Sequence, residues 1–215
     1  INGKPFGDKL MGVNRHQDYA YIGNAVPNNL HWLDVKKMRD AGFRIIRSAH
    51  YPQDPAFMDA CDELGMFIIV ATPGWQYWNP EPVFEERILS DIRNMVRRDR
   101  NQPVLNETAF PESFAQNAYR ATHEEYPAPG CYAAIDDKSK GAMGYDVVYT
   151  APKNEAFYRN AGKSCFTREY GDCVDDWNSH NSYSRVAREW GEEPQIRQAQ
   201  HYARKDYGGS LTVDQ

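Results

Sequence analysis

Short apolar runs alternate with longer amphipathic ones through the first hundred residues. Residues 9–13 predict a strand, and Asn14-Arg15-His16-Gln17-Asp18 a polar loop after it. Leu33, Val35, Met38 and Ala41 then recur near the helical period until Gly42 stops the helix. Residues 43–47 are apolar and β-branched enough for a buried strand, ending at Ser48-Ala49-His50-Tyr51-Pro52. Asp54 is a candidate N-cap with Pro55 at the first helical position, and that helix reaches Leu64 before Gly65 terminates it. Residues 66–70 predict another buried strand. Residues 83–98 predict a long amphipathic helix with Ile88, Ile92, Met95 and Val96 on one face.

Strand and helix in strict alternation imply parallel strands joined by right-handed crossovers, an α/β architecture. In such folds the polar residues just after each strand gather at one end of the sheet. Here those residues are Asn14, Arg15, His16 and Asp18, then His50 and Tyr51, then Trp75 and Trp78, then Asn106 and Glu107. The second half is less regular. It offers a helix at 113–125, a Pro-rich turn at 126–130, short strands at 147–150 and 164–167, and a final helix at 195–205.

Composition narrows the functional classes. Of 215 residues 41% are hydrophobic and 26% charged, as in ordinary globular domains, and the net charge of −5 comes without a basic run. That argues against a nucleic-acid partner, and no stretch approaches the roughly 20 apolar residues a membrane helix needs. The start, Ile1-Asn2-Gly3-Lys4-Pro5, lacks the character of a signal peptide and reads as the middle of a longer protein. Cys61, Cys131, Cys165 and Cys173 show no metal-ligand spacing and read as free thiols, with a Cys165–Cys173 bridge the alternative. Fourteen tyrosines and five tryptophans, several of them beside Gly, Asn and Pro as in Gly74-Trp75-Gln76-Tyr77-Trp78-Asn79-Pro80, suit the flat apolar faces of sugars.

Five motifs then occur in order: Gly12-Val13-Asn14-Arg15-His16; Arg47-Ser48-Ala49-His50-Tyr51-Pro52; Cys61-Asp62-Glu63-Leu64-Gly65; Arg98-Asp99-Arg100-Asn101-Gln102-Pro103; and Asn106-Glu107. Together they resemble the catalytic (β/α)₈ TIM barrel of glycoside hydrolase family 2, the family of β-galactosidases, β-glucuronidases and β-mannosidases. The resemblance implies that Glu107 is the general acid/base after the fourth strand. It implies that Glu169, in Thr167-Arg168-Glu169-Tyr170-Gly171, is the nucleophile after the seventh. A retaining glycosidase needs two such carboxylates about 5–5.5 Å apart, and these two are distant in sequence. By the same resemblance Asn106 binds the sugar 2-hydroxyl, and His16, Asp18 and His50 line the sugar subsite. Arg47 restrains the nucleophile or braces the strand ends, as does Arg15. Tyr145 hydrogen-bonds the nucleophile, and Trp75 and Trp78 stack on a second sugar or pack in the core.

The match has departures. Only Val104 and Leu105 separate Pro103 from Asn106, short of the roughly five residues of a usual strand, so the fourth strand reads as truncated. No eighth strand is evident, and the barrel therefore reads as incomplete. Ala71-Thr72-Pro73-Gly74-Trp75 stands where the large family β-galactosidases carry an acid and a histidine for a divalent cation, so no metal and no cofactor is expected. The expected activity is a retaining exo-β-glycosidase of β-galactosidase type acting on terminal β-linked sugars. A β-glucuronidase or β-mannosidase, or an inactive carbohydrate-binding barrel, remains the alternative. The whole chain reads as one catalytic domain without accessory β-sandwiches, with a glycoside as its partner. Oligomerisation would run through parts outside the chain, and the sequence leaves the location open, the loop aromatics being compatible with a periplasmic or secreted one.

Overall fold

A computed structural model describes residues 10–19, 21–73, 78–99, 110–127, 132–150 and 154–168, and residues 102–105 by backbone alone. Ile1–Gln17 with Pro27–Glu169 form one unit, and Asp18–Val26 with Tyr170–Gln215 a second. In the second unit Tyr19 and Gly23 form an antiparallel bridge, each amide donating to the other's carbonyl at 3.1 and 2.8 Å.

The first unit alternates strand and helix: β1 Gly12–Arg15, α1 Asn28–Asp40, β2 Ile45–Ser48, α2 Pro55–Leu64, β3 Phe67–Ala71, α3 Pro82–Asp99, β4 Gln102–Leu105, α4 Glu112–Glu125, β5 Ala134–Asp136, β6 Val147–Thr150, α5 Glu155–Asn160 and β7 Ser164–Thr167. A single turn of 3₁₀ helix, Ala142–Gly144, precedes β6. Among the described residues the seven strands form one sheet in chain order, and every neighbouring pair is parallel. A doubly wound sheet would reverse its strand order at a switch point. Unbroken chain order is the progression of an α/β barrel.

Alternation of side chains along each strand sorts the core into layers. Ile45, Ile69, Ala134, Val147, Tyr149 and Phe166 cluster together on the inner face. Their strand neighbours point the other way. Ile46, Ile68 and Val70 pack on Val35 of α1 and on Phe57, Met58 and Cys61 of α2. Ile135 and Val148 pack on Ile88, Ile92 and Val96 of α3 and Phe114, Ala115 and Ala118 of α4. The apolar face expected for α3 is thus buried, with Met95 included.

Local signals worked best where caps are explicit. Asp54 Oδ1 accepts from the Ala56 amide at 2.8 Å, and Gly65 ends α2 at φ 68°, a left-handed conformation that glycine adopts at little cost. The first strand differs from expectation. It begins at Gly12 rather than residue 9 and runs on through Asn14 and Arg15, because Gly12 to Arg15 pair in register with Ile45 to Ser48. Strand β4 recruits Gln102 and Pro103 and reaches four residues, the length of β1, β2, β6 and β7. Among the described residues there is no eighth strand. The helix expected at 195–205 lies outside them, as do residues 128–130 of the expected turn. Cys61 and Cys165 are free thiols, while Cys131 and Cys173 lie outside the described residues.

Candidate active site

Parallel strands bring all their C-terminal ends to one edge. At that edge Asn14 of β1 meets Arg47 of β2, whose Nη1 donates to Asn14 Oδ1 at 3.3 Å. Arg47 is 5% exposed despite its charge. Its Nη2 lies 3.3 Å from His50 Nδ1, and its guanidinium stands 5.9 Å over the Tyr149 ring. His50 follows β2, and its ring meets that of His16 edge-on, with centroids 5.2 Å apart. Burial, then the positive charges of Arg47, His16 and Arg168, push the His50 pKa down to about 4. A neutral imidazole whose Nδ1 accepts from Arg47 carries its proton on Nε2. His50 is therefore a neutral hydrogen-bond donor held by an arginine, a group suited to a sugar hydroxyl.

Arg15 faces the other way. It hydrogen-bonds Gln53 Oε1 at 2.5 Å, lies 3.1 Å from His31 Nδ1, pairs with Asp34 at 3.0 Å and stands 4.4 Å over Phe57. Of the two readings for this arginine, bracing the strand against α1 and α2 is the one that holds.

The far side of the edge is built by β5, β6 and β7. Asp136, the last residue of β5, is 3% exposed and pairs with Arg168 at 3.1 Å. Its pKa is raised, chiefly by burial, against the opposing Lys138 amide and Arg168 guanidinium. Arg168 follows β7 and stands 5.5 Å over Tyr149, whose ring stacks on Phe166 at 5.4 Å. Sequence reasoning passed over Asp136, Tyr149 and Arg168 as site residues. The signal was there: an apolar triplet ending in Asp136-Asp137, a tyrosine inside an expected strand, and an arginine beside Glu169.

Tyr145 requires a correction. It precedes β6, at the opposite end of the strand from the edge just described, and is 3% exposed among Phe114, Ala115 and Ala118. Its hydroxyl donates to the Ala115 carbonyl at 2.7 Å, which fastens it to α4. Burial pushes its pKa far above the usual tyrosine range. Trp78 also resolves to packing, tilted on Phe114 at 4.9 Å and edge-on to Phe84 and Phe110. Trp75, Asn106, Glu107 and Glu169 lie outside the described residues, and Asp18 belongs to the second unit. Leu105 ends β4 just before Asn106 and Glu107 in sequence. The Arg168 amide, just before Glu169, donates to Thr150 O at 2.9 Å.

Among the described residues, seven parallel strands in chain order with polar groups at their C-terminal edge have the architecture of an α/β barrel. The family model for the TIM barrel domain of glycosyl hydrolases family 2 matches residues 1–121. The chain belongs to glycoside hydrolase family 2. It is 35% identical to the β-galactosidase of Thermoanaerobacterium thermosulfurigenes over 136 residues, 59% of this chain and 18% of that protein. It is 36% identical to a putative β-glucuronidase of Formosa agariphila over 119 residues, 55% of this chain and 14% of that protein. It thus spans less than a fifth of the length of these relatives. Among solved structures, an FMN-binding β-glucuronidase from Facaelibacterium prausnitzii L2-6 superposes with a TM-score of 0.71 at 20% identity, over 94% of this chain and 36% of that one. The Parabacteroides merdae β-glucuronidase gives 0.61 at 23% identity, over 70% and 20%. At these identities the two structures establish a shared fold.

Proposed function

We propose that the protein is a retaining exo-β-glycosidase of β-galactosidase type, working by double displacement. Glu169 attacks the anomeric carbon and the glycosidic bond breaks, with Glu107 giving its proton to the leaving oxygen. Glu107 then takes a proton from water as that water displaces Glu169 from the anomeric carbon. His16, His50, Asn106, Arg47 and Trp75 form the sugar subsite. The observation that carries this reading is the neutral His50 beside Arg47 and Asn14, at the edge toward which β4 and β7 also end. The sequence sets Asn106-Glu107 directly after β4 and Glu169 directly after Arg168, which follows β7. Identity to the T. thermosulfurigenes β-galactosidase favours a galactoside, and identity to the F. agariphila relative favours a glucuronide as the second reading.

The test is mechanism-based labelling of the full-length protein with 2-deoxy-2-fluoro-β-galactosyl fluoride, read by intact mass and peptide mapping. An adduct on Glu169 is expected. An adduct only with the glucuronyl analogue would select the second reading, and an adduct on another carboxylate would overturn the assignment of the nucleophile.

A further inference from the structure

The Asp136–Arg168 pair on the inner face takes no direct part in the bond-making and bond-breaking proposed above. Asp136 stands two residues beyond Ala134 and Arg168 two beyond Phe166, so both continue an otherwise apolar inner layer. Their side chains are 4% and 20% exposed. Burying two opposite charges costs desolvation that their attraction barely offsets, and an apolar pair of similar volume stabilises a fold as well or better. Stability alone is therefore a poor reason for charges at this place.

What the pair does supply is fixation. Arg168 is tied to β5 through Asp136, and Lys138 in turn donates its amide to Asp136 at 2.9 Å. It is tied to β6 twice, through the face of Tyr149 and through its own amide to Thr150 O. The next residue in the chain is Glu169.

We propose that Asp136 and Arg168 are positioning residues for Glu169, clamping the end of β7 to β5 and β6 so that the following carboxylate is held for attack on the anomeric carbon. This rests on Glu169 being the nucleophile. A nucleophile held in attack geometry loses rate steeply when its support slackens, on the order of 10²-fold for a displacement near 1 Å. The pair also sets charge. Removing the Arg168 cation raises the ionisation midpoint of a neighbouring carboxylate, and removing the Asp136 anion lowers it. Among the described residues, the other charged or titratable groups around the pair include Asp137 and Lys138 after β5, Tyr149 of β6, and Arg47, His50 and His16 at the ends of β2 and β1.

The experiment compares the full-length protein with D136N, R168Q and R168K. Samples are confirmed folded by circular dichroism and assayed below their thermal midpoints. Labelling by the 2-fluoro-galactosyl and glucuronyl fluorides and the pH profile of kcat/KM are the readouts. Expected are labelling slowed about 10²-fold in D136N and R168Q, and partial recovery in R168K, which keeps the charge without the planar fork. The acidic limb should move down in D136N and up in R168Q. A merely structural pair would not move the two limbs in opposite directions. If one variant fails to fold, the labelling rates of the remaining two against the parent decide, together with the stated direction of the limb in whichever of D136N and R168Q remains. A parent labelled on Glu169 whose folded variants label at its rate, or whose limbs shift together, overturns this inference alone. A parent not labelled on Glu169 overturns the catalytic reading and this inference with it.

Discussion

Two tyrosines four residues apart have opposite surroundings. Tyr145 lies before β6 and bonds the Ala115 carbonyl of α4, whereas Tyr149 lies within β6 and stacks on Phe166 of the inner layer. Tyr145→Phe removes one buried hydrogen bond, so it should cost about 1 kcal/mol, read as a lower denaturation midpoint. Glycosidase kcat/KM should stay unchanged, and a fall in kcat/KM without loss of stability would return Tyr145 to the site. His50 gives a prediction in pH. The folded ring takes its proton only near pH 4, against 6.5 for an unperturbed histidine. Between those values the unfolded chain binds the extra proton, so stability falls as pH drops from 6.5 toward 4 and is indifferent to this group above 7. Urea midpoints across that window should decline less steeply in His50→Gln than in the parent. Equal slopes would show that the ring is not held neutral.

Elements were legible where their ends carry chemistry. Helix α2 was readable to the residue because Asp54 caps it, Pro55 fixes its first turn and Gly65 accepts a left-handed conformation. Asp54→Ala should cost about 1 kcal/mol, measured as a shift in denaturant midpoint with an unchanged m-value. An unaltered midpoint would mean the Ala56 amide finds another partner. Helix α1 begins at Asn28, before its periodic apolar residues, because Pro27 leaves the chain in the extended conformation that precedes a first turn. Strand β5 has three residues and helix α5 six, too few for any period to emerge from their sequence. Strand β1 could not be bounded locally, since its register is set by pairing with β2.

At the scale of the molecule, parallel order does what local sequence cannot: it turns residues remote in the chain into neighbours at one edge. The proposed reaction makes a prediction here. Glu107→Ala should abolish hydrolysis of alkyl β-glycosides. It should retain the first step on aryl glycosides with good leaving groups, because such groups depart without a proton. Steady-state and burst kinetics on the two substrate classes check this, and equal losses on both would place the general acid elsewhere.

Sequence alone determined the alternation of strand and helix, the buried face of α3, the caps of α2 and the motifs that mark the family, because these depend on periodicity and on residues adjacent in the chain. Tertiary structure decided which face each side chain takes. It turned Arg15 outward and Arg47 inward, gave Tyr145 and Trp78 to packing, and set Asp136, Tyr149 and Arg168 together on the inner face. The physical reason is that a strand's two faces differ only by what lies across from them, and strand pairing, not local sequence, decides that.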